Sequence, residues 1–299
     1  MLGATGTGKS DAAIAIAETI GGEVISTDAY QVYRGMDIGT AKVSAAERER
    51  VRHHLIDIVE PADHLTLARF LDFANAALDD VWSRGKLPVL AGGSGQYVWA
   101  LIEGWQPPRV PPDLELRAEL EAVAVAEGPE ALHDRLAALD PEAASKLDRR
   151  NARRVIRALE VVMRTGKTLA MCQARTPIDA DVFVIGLRLD REALYARLDA
   201  RVDAMIDAGF IAEVEALRAA GYGASIPVLG GTGYREIGAY LDGEYDLEEA
   251  VRRMKNAHHR LVRRQAAWFR DADPRIHWLD AGENTGRQAV EAVQEWLAR

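Results

Sequence analysis

The feature that most constrains this chain lies at its start. Gly3-Ala4-Thr5-Gly6-Thr7-Gly8-Lys9-Ser10 completes the pattern G-x-x-x-x-G-K-[ST], and DAAIAIAETI behind it reads as an amphipathic helix stopped by Gly21 and Gly22. Glycines let such a loop turn its backbone N–H groups inward onto phosphate oxygens. Lys9 adds a point charge, and the Ser10 hydroxyl can ligate Mg²⁺. The eight residues therefore predict a site for a di- or triphosphate. A phosphate loop hangs from the end of a buried strand, yet only Met1 and Leu2 precede Gly3, so we expect the native chain to begin upstream.

Three further runs fit the same architecture. EVISTDA (23–29), HLIDIV (54–59) and LPVLAGGS (87–94) have strand length, and TLARFLDFANAALDDVWS between the last two has helical periodicity. Alternating strand and helix predicts an α/β fold, a parallel sheet of the P-loop NTPase type flanked by helices. Ligands of such sheets collect at the carboxyl ends of the strands, which here bring together the loop, Asp28 and the glycine turn Gly92-Gly93-Ser94-Gly95. A carboxylate at position 28 can act as general base on a bound acceptor or as an indirect metal partner.

From WQPPRVPPD (105–113) to about residue 179 the pattern is helical, with no strand candidate. DVFVIGLRLD (181–190) restores strand character, and IHWLDA (276–281) reads as a last strand. The expected organisation is a core in two parts, 1–104 and 181–299, around an all-helical insertion, 105–180.

The chain carries a formal charge of −9, which on average disfavours a nucleic-acid partner. The average hides two cationic segments. RRNARRVIRALEVVMRTGK (149–167) has seven Lys/Arg against one Glu, and RRMKNAHHRLVRRQAAWFR (252–270) has seven and no acid. They predict a local grip on a polyanion, the alternative being two solvated helix faces. A single cysteine, Cys172, allows no internal disulfide, and no apolar run approaches a membrane span; we expect a cytoplasmic protein.

Taken together, GATGTGKS, ISTDAYQVYRGMDIGTAK, GGSGQYVWALIEG, NARRVIRALEV with GKTL, GYREI and RRQAAWFR resemble, in order and from residue 3 to about 270, the tRNA dimethylallyltransferase family of bacterial type, the IPP transferases. The resemblance implies transfer of a dimethylallyl group from dimethylallyl pyrophosphate to N6 of adenosine 37, in tRNAs that read codons beginning with U. The loop Gly3–Ser10 would then cradle a pyrophosphate, with Mg²⁺ at Ser10. Asp28 matches the proposed general base, Arg201 an arginine on the leaving pyrophosphate, and Asp28, Ala29, Tyr30, Gln31 and Ser94 the segments around the flipped-out base. Arg153, Arg154 and Arg157, with Gly233, Tyr234 and Arg235, match runs that contact the tRNA anticodon stem-loop. Tyr30, Tyr33, Tyr97 and Trp99 are stacking candidates. An intrahelical ion pair is the structural alternative for Arg201.

Ala29, Ser94, Gln96 and the insertion Gly230-Gly231-Thr232 depart from the commoner family residues. No Cys/His zinc module follows the core, which points to a bacterial-type enzyme; we expect a monomer with no membrane partner. The competing readings are an adenylate isopentenyltransferase using free AMP, a small-molecule P-loop kinase, and a tRNA-binding protein without catalysis.

Overall fold

A computed structural model describes every residue except Ala224. The chain divides into two compact units, Met1–Leu101 with Asp179–Arg299, and Ile102–Ile178. In the first unit β1 (Leu2–Gly3) leads through the phosphate loop into α1 (Lys9–Ile20), which ends where Gly21 takes φ +65°. Then follow β2 (Glu23–Ser26), α2 (Ala45–Arg50), β3 (His53–His54), α3 (Leu67–Ser83), β4 (Pro88–Ala91) and α4 (Gly95–Ile102). Helix α3 starts where the Thr66 side chain accepts the Arg69 N–H, a cap that satisfies one of the helix's orphan donors.

The second unit holds β5 (Trp105–Gln106), α5 (Leu114–Glu127), α6 (Pro129–Leu139), α7 (Pro141–Lys146), α8 (Ala152–Thr165) and β6 (Ala174–Arg175). The chain then returns to the first unit with β7 (Val184–Arg188), α9 (Arg191–Asp207), α10 (Phe210–Ala219), α11 (Tyr234–Leu241), α12 (Leu247–Ala266), β8 (Ile276–Asp280) and α13 (Thr285–Leu297).

The first unit carries two three-stranded parallel sheets, ordered β1-β7-β8 and β3-β2-β4. Met1 ties them at one end, its amino group donating to the Leu90 carbonyl and its carbonyl accepting the Gly92 N–H. The expected parallel α/β arrangement is therefore present. One apolar core joins the two sheets to the helices: Ala13, Ile14 and Ile16 of α1 pack with Val24, Val89, Ile185 and Leu187 of the strands and with Ala289 and Val293 of α13.

Two expectations fail. HLIDIV pairs with β2 only over His53–His54, because Leu55 and Asp57 adopt φ +63° and +55° and turn the backbone away; one bridge, Tyr33 with Val59, resumes the pairing. Asp57 is turned there onto Lys42 and Arg48. Nor is the second unit wholly helical, since β5 and β6 form an antiparallel pair, Trp105 with Arg175 and Gln106 with Ala174. Two residues per strand are too few for any period to register. The unit's core is Leu120, Leu132, Leu136, Val155 and Leu159. Among the described residues no helix is long and apolar enough to cross a membrane.

At the start of β2, Glu23 is 1 % exposed and meets Arg84, His54 at 2.7 Å and Lys86 at 3.0 Å. The Arg84 guanidinium first, then His54 and Lys86, hold its carboxyl far below the usual carboxylate range, against the opposing effect of burial. A carboxylate with a depressed native pKa contributes stability that is complete above its unfolded value and lost as pH falls through the native one. Glu23→Ala removes the buried carboxylate that gathers Arg84, His54 and Lys86, all partly exposed, and is expected to cost about 2 kcal/mol. Urea unfolding at pH 7 and pH 4 checks this, the variant showing the flatter acid dependence.

Candidate active site

The loop between β1 and α1 turns at Gly6 and Gly8, whose φ values of +85° and +86° favour glycine. Thr5, Gly6, Gly8, Lys9 and Ser10 line a cavity of about 390 Å³. Its other walls come from Ser26, Asp28 and Gln31 after β2, from Thr40, Ala41 and Lys42, from Gly92 and Gly93 after β4, and from Arg197 and Arg201 of α9. Three strand ends thus converge with one helix.

Gly3, Ala4 and Thr7 line a different cavity from their neighbours in the loop; Thr7 is 1 % exposed and donates to the Ala4 carbonyl at 2.9 Å.

Positive charge concentrates at the first cavity. Lys9 donates from Nζ to the Ala4 carbonyl at 2.6 Å, and burial pushes its pKa down to about 8, with Asp28 opposing and Arg201 adding to the fall. Arg201 is likewise lowered by burial and by Arg197, against Asp28 and Asp11. Among the described residues Arg201 makes no hydrogen bond or ion pair, so its structural alternative, an ion pair along the helix, is not formed. A partly buried guanidinium without a hydrogen-bond partner among the described residues suits an anion that arrives from outside.

The Asp28 carboxylate is fixed by one oxygen: Oδ1 accepts from the N–H groups of Tyr30 at 2.8 Å and Gln31 at 3.3 Å. Oδ2 has no hydrogen bond among the described residues and is free to accept a proton. The Ser94 hydroxyl accepts the Ala29 N–H at 3.1 Å and so ties the glycine turn to this segment. Gln31 is nearly buried and spends its amide on the Ala41 carbonyl.

A second, smaller cavity shares Thr5, Asp28, Thr40, Ala41 and Arg201 with the first. It extends to Tyr30, Ser94, Thr232, His258, Arg264 and Gln265. Asp28 and Arg201 therefore stand where two chambers meet.

Several expected contacts are occupied elsewhere. Tyr234 lines the smaller cavity, yet it is 2 % exposed, edge-on to Phe210, and its hydroxyl is spent on Glu213 at 2.7 Å. Gly233 donates its N–H to Glu236, and Arg235, exposed, pairs with that same carboxylate. In the second unit Arg157 binds Glu160 and the carbonyls of Pro108 and Val110, which makes it a brace; Arg153 and Arg154 project to solvent from the start of α8, which Asn151 caps. Of the aromatic candidates, Tyr30 alone is exposed. Tyr33 and Trp99 are buried, and Tyr97 stacks on Phe70.

Two positioning residues escaped the sequence reading. Gln265 bridges the site, its Oε1 accepting the Thr5 N–H at 2.8 Å and its amide donating to the Gly93 carbonyl at 3.0 Å. Its only signal was its place within RRQAAWFR. The Glu213 carboxylate gathers the N–H groups of Asp37, Ile38 and Gly39 and the Tyr234 hydroxyl, holding the MDIGTAK segment against the cavity.

Residues 31–272 match the family model described as IPP transferase. The chain is 46 % identical to the tRNA dimethylallyltransferase of Roseiflexus sp. (strain RS-1), over 99 % of this chain and 97 % of that protein. The crystal structure of the full-length tRNA isopentenylpyrophosphate transferase of Bacillus halodurans superposes with a TM-score of 0.72 at 38 % identity, covering 99 % and 94 % of the two chains. A eukaryotic dimethylallyltransferase captured acting on tRNA superposes with a TM-score of 0.81 at 27 % identity, covering 99 % of this chain and 78 % of the other. With a phosphate loop, a fixed carboxylate and an unpaired arginine around one cavity, and relatives matched along nearly the whole length, this chain belongs to the IPP transferase family.

Proposed function

We propose that the protein transfers the dimethylallyl group of dimethylallyl pyrophosphate to N6 of adenosine 37 in tRNAs that read codons beginning with U, releasing pyrophosphate. The observation that carries this reading is the seam between the two chambers: Asp28 and Arg201 face both a phosphate cradle and a second pocket. Displacement at an allylic carbon needs this division, with the leaving oxygen on one side of the carbon and the attacking nitrogen on the other.

In the reaction the bond from the allylic carbon to the pyrophosphate oxygen breaks, its electron pair leaving with the oxygen. The carbon–N6 bond forms, and the proton lost from N6 passes to Asp28 Oδ2. Lys9, Arg201 and the N–H groups of the loop meet the charge that develops on the leaving group, where preorganised donors count most. No nucleotide is consumed.

The residues also suit Mg²⁺. Ser10 offers an exposed hydroxyl on the cavity wall, one protein ligand for an ion of the kind held largely by substrate phosphates and water. Bound there, it would neutralise charge on the pyrophosphate. Arg153 and Arg154 supply contacts to phosphates of the anticodon stem-loop, and the reading carries with it a monomeric, cytoplasmic enzyme.

Charge reversal at both arginines, Arg153→Glu with Arg154→Glu, is expected to weaken stem-loop binding and to flatten its dependence on log salt by about 1.5. An unchanged slope would remove them from the tRNA surface. The activity itself is tested by incubating labelled dimethylallyl pyrophosphate and Mg²⁺ with an anticodon stem-loop or with AMP, and labelled ATP with the same acceptors. Label from the prenyl donor on adenosine 37 alone is the expected result. Label on AMP, or phosphoryl transfer from ATP, would overturn it.

A further inference from the structure

His258, on α12, is 7 % exposed and lines the smaller chamber together with Asp28, Arg201 and Arg264. Its Nδ1 lies 3.0 Å from the Met254 carbonyl. A carbonyl can only accept, so Nδ1 carries the hydrogen and Nε2 of the neutral ring keeps its lone pair. Among the described residues nothing bonds to Nε2. Burial holds the ring below its ordinary pKa, the Met254 carbonyl opposing, Arg201 adding to the fall, and Glu236 opposing in turn. The imidazole is therefore an acceptor at neutral pH.

The chamber needs such a group. Arg201 and Arg264 can only donate, Gln265 Oε1 is taken by the Thr5 N–H, and the Ser94 hydroxyl already accepts from Ala29. Asp28 Oδ2 and His258 Nε2 accept no hydrogen bond among the described residues, and neither is a hydroxyl that must also place a hydrogen of its own. An exocyclic amine has two hydrogens: one must go to the base, and the other loses its water when it enters the pocket. A buried donor left unpaired is costly.

We propose that His258 Nε2 accepts the second hydrogen of the acceptor's exocyclic amine, so that this histidine selects an amino-bearing base and orients its nitrogen lone pair toward the donor carbon. The proposal rests on the tRNA-prenylating reading above. No bond to His258 is made or broken in the reaction; it is a positioning residue.

The test uses the full chain and two stem-loops, one with adenosine at the target position and one with purine riboside, which lacks the amine. His258→Phe keeps a flat ring without the acceptor, and His258→Gln restores one. Affinities are measured for both loops, with pyrophosphate and Mg²⁺ present. The wild-type preference for adenosine is expected to fall about fivefold in His258→Phe and to recover in His258→Gln, with affinity for the purine loop unchanged throughout. An unaltered preference in His258→Phe, equal losses for both loops, or no recovery with glutamine would overturn it. Failure of the wild-type protein to prenylate the adenosine loop at all would instead strike the functional reading on which the proposal stands.

Discussion

Replacing Asp28 by asparagine is expected to lower the single-turnover rate of prenyl transfer by about two to four decades while stem-loop affinity stays within about threefold. Asparagine keeps the oxygen that Tyr30 and Gln31 bind at 2.8 and 3.3 Å, so the backbone turn that shapes residues 28–31 survives. What disappears is Oδ2 as a proton acceptor. An interaction used only as N6 loses its proton shows in the rate and not in binding. Rapid-quench kinetics with enzyme in excess, beside a stem-loop titration, separate the two. Parallel losses in rate and affinity would make Asp28 a binding residue.

The second large effect belongs to Arg201. Arg201→Met is expected to reduce kcat by about 10²–10³, the usual result of removing one donor from a developing oxyanion. The same change should leave the melting temperature unchanged or raise it by a few degrees. The reason lies in the empty-handed guanidinium: it is partly buried, makes no ion pair or hydrogen bond among the described residues, and has Arg197 and Lys9 near it against Asp28 and Asp11. Holding it there destabilises the free protein, a cost tolerated where function needs the charge. Pyrophosphate should reverse the order, stabilising the wild type more than the variant in a thermal melt. A variant that lost melting temperature and activity together would identify Arg201 as part of the scaffold.

How much of this was legible beforehand depended on the range of the interactions involved. The phosphate loop, α1 and its glycine stop, β2 leading to Asp28, and the periodicity of α3 are set by neighbours a few residues apart, and each was readable. The failure at HLIDIV is different. Its apolar run predicts a continuous strand, but Asp57 is drawn to Lys42 and Arg48, and the ladder breaks to let it turn. No local period carries that information.

The site shows the same division. Asp28 and the loop announce themselves by motif, whereas Gln265 acts on Thr5 across 260 residues of sequence and Glu213 on Ile38 across 175. Tyr234 and Arg157 stand in recognisable motifs, yet the first is spent on Glu213 and the second on Glu160 and two carbonyls. A motif residue can thus serve a site by holding it.

On the proposed reading, a phosphate loop of nucleotide-binding type holds an isoprenoid pyrophosphate as leaving group. The most direct measurement is the stoichiometry of pyrophosphate release in the absence of ATP and GTP, with an anticodon stem-loop, Mg²⁺ and dimethylallyl pyrophosphate. One pyrophosphate released per dimethylallyl group found on N6, and almost none without the stem-loop, is the expected result. Transfer that requires ATP, or pyrophosphate released in excess of prenylated adenosine, would contradict it.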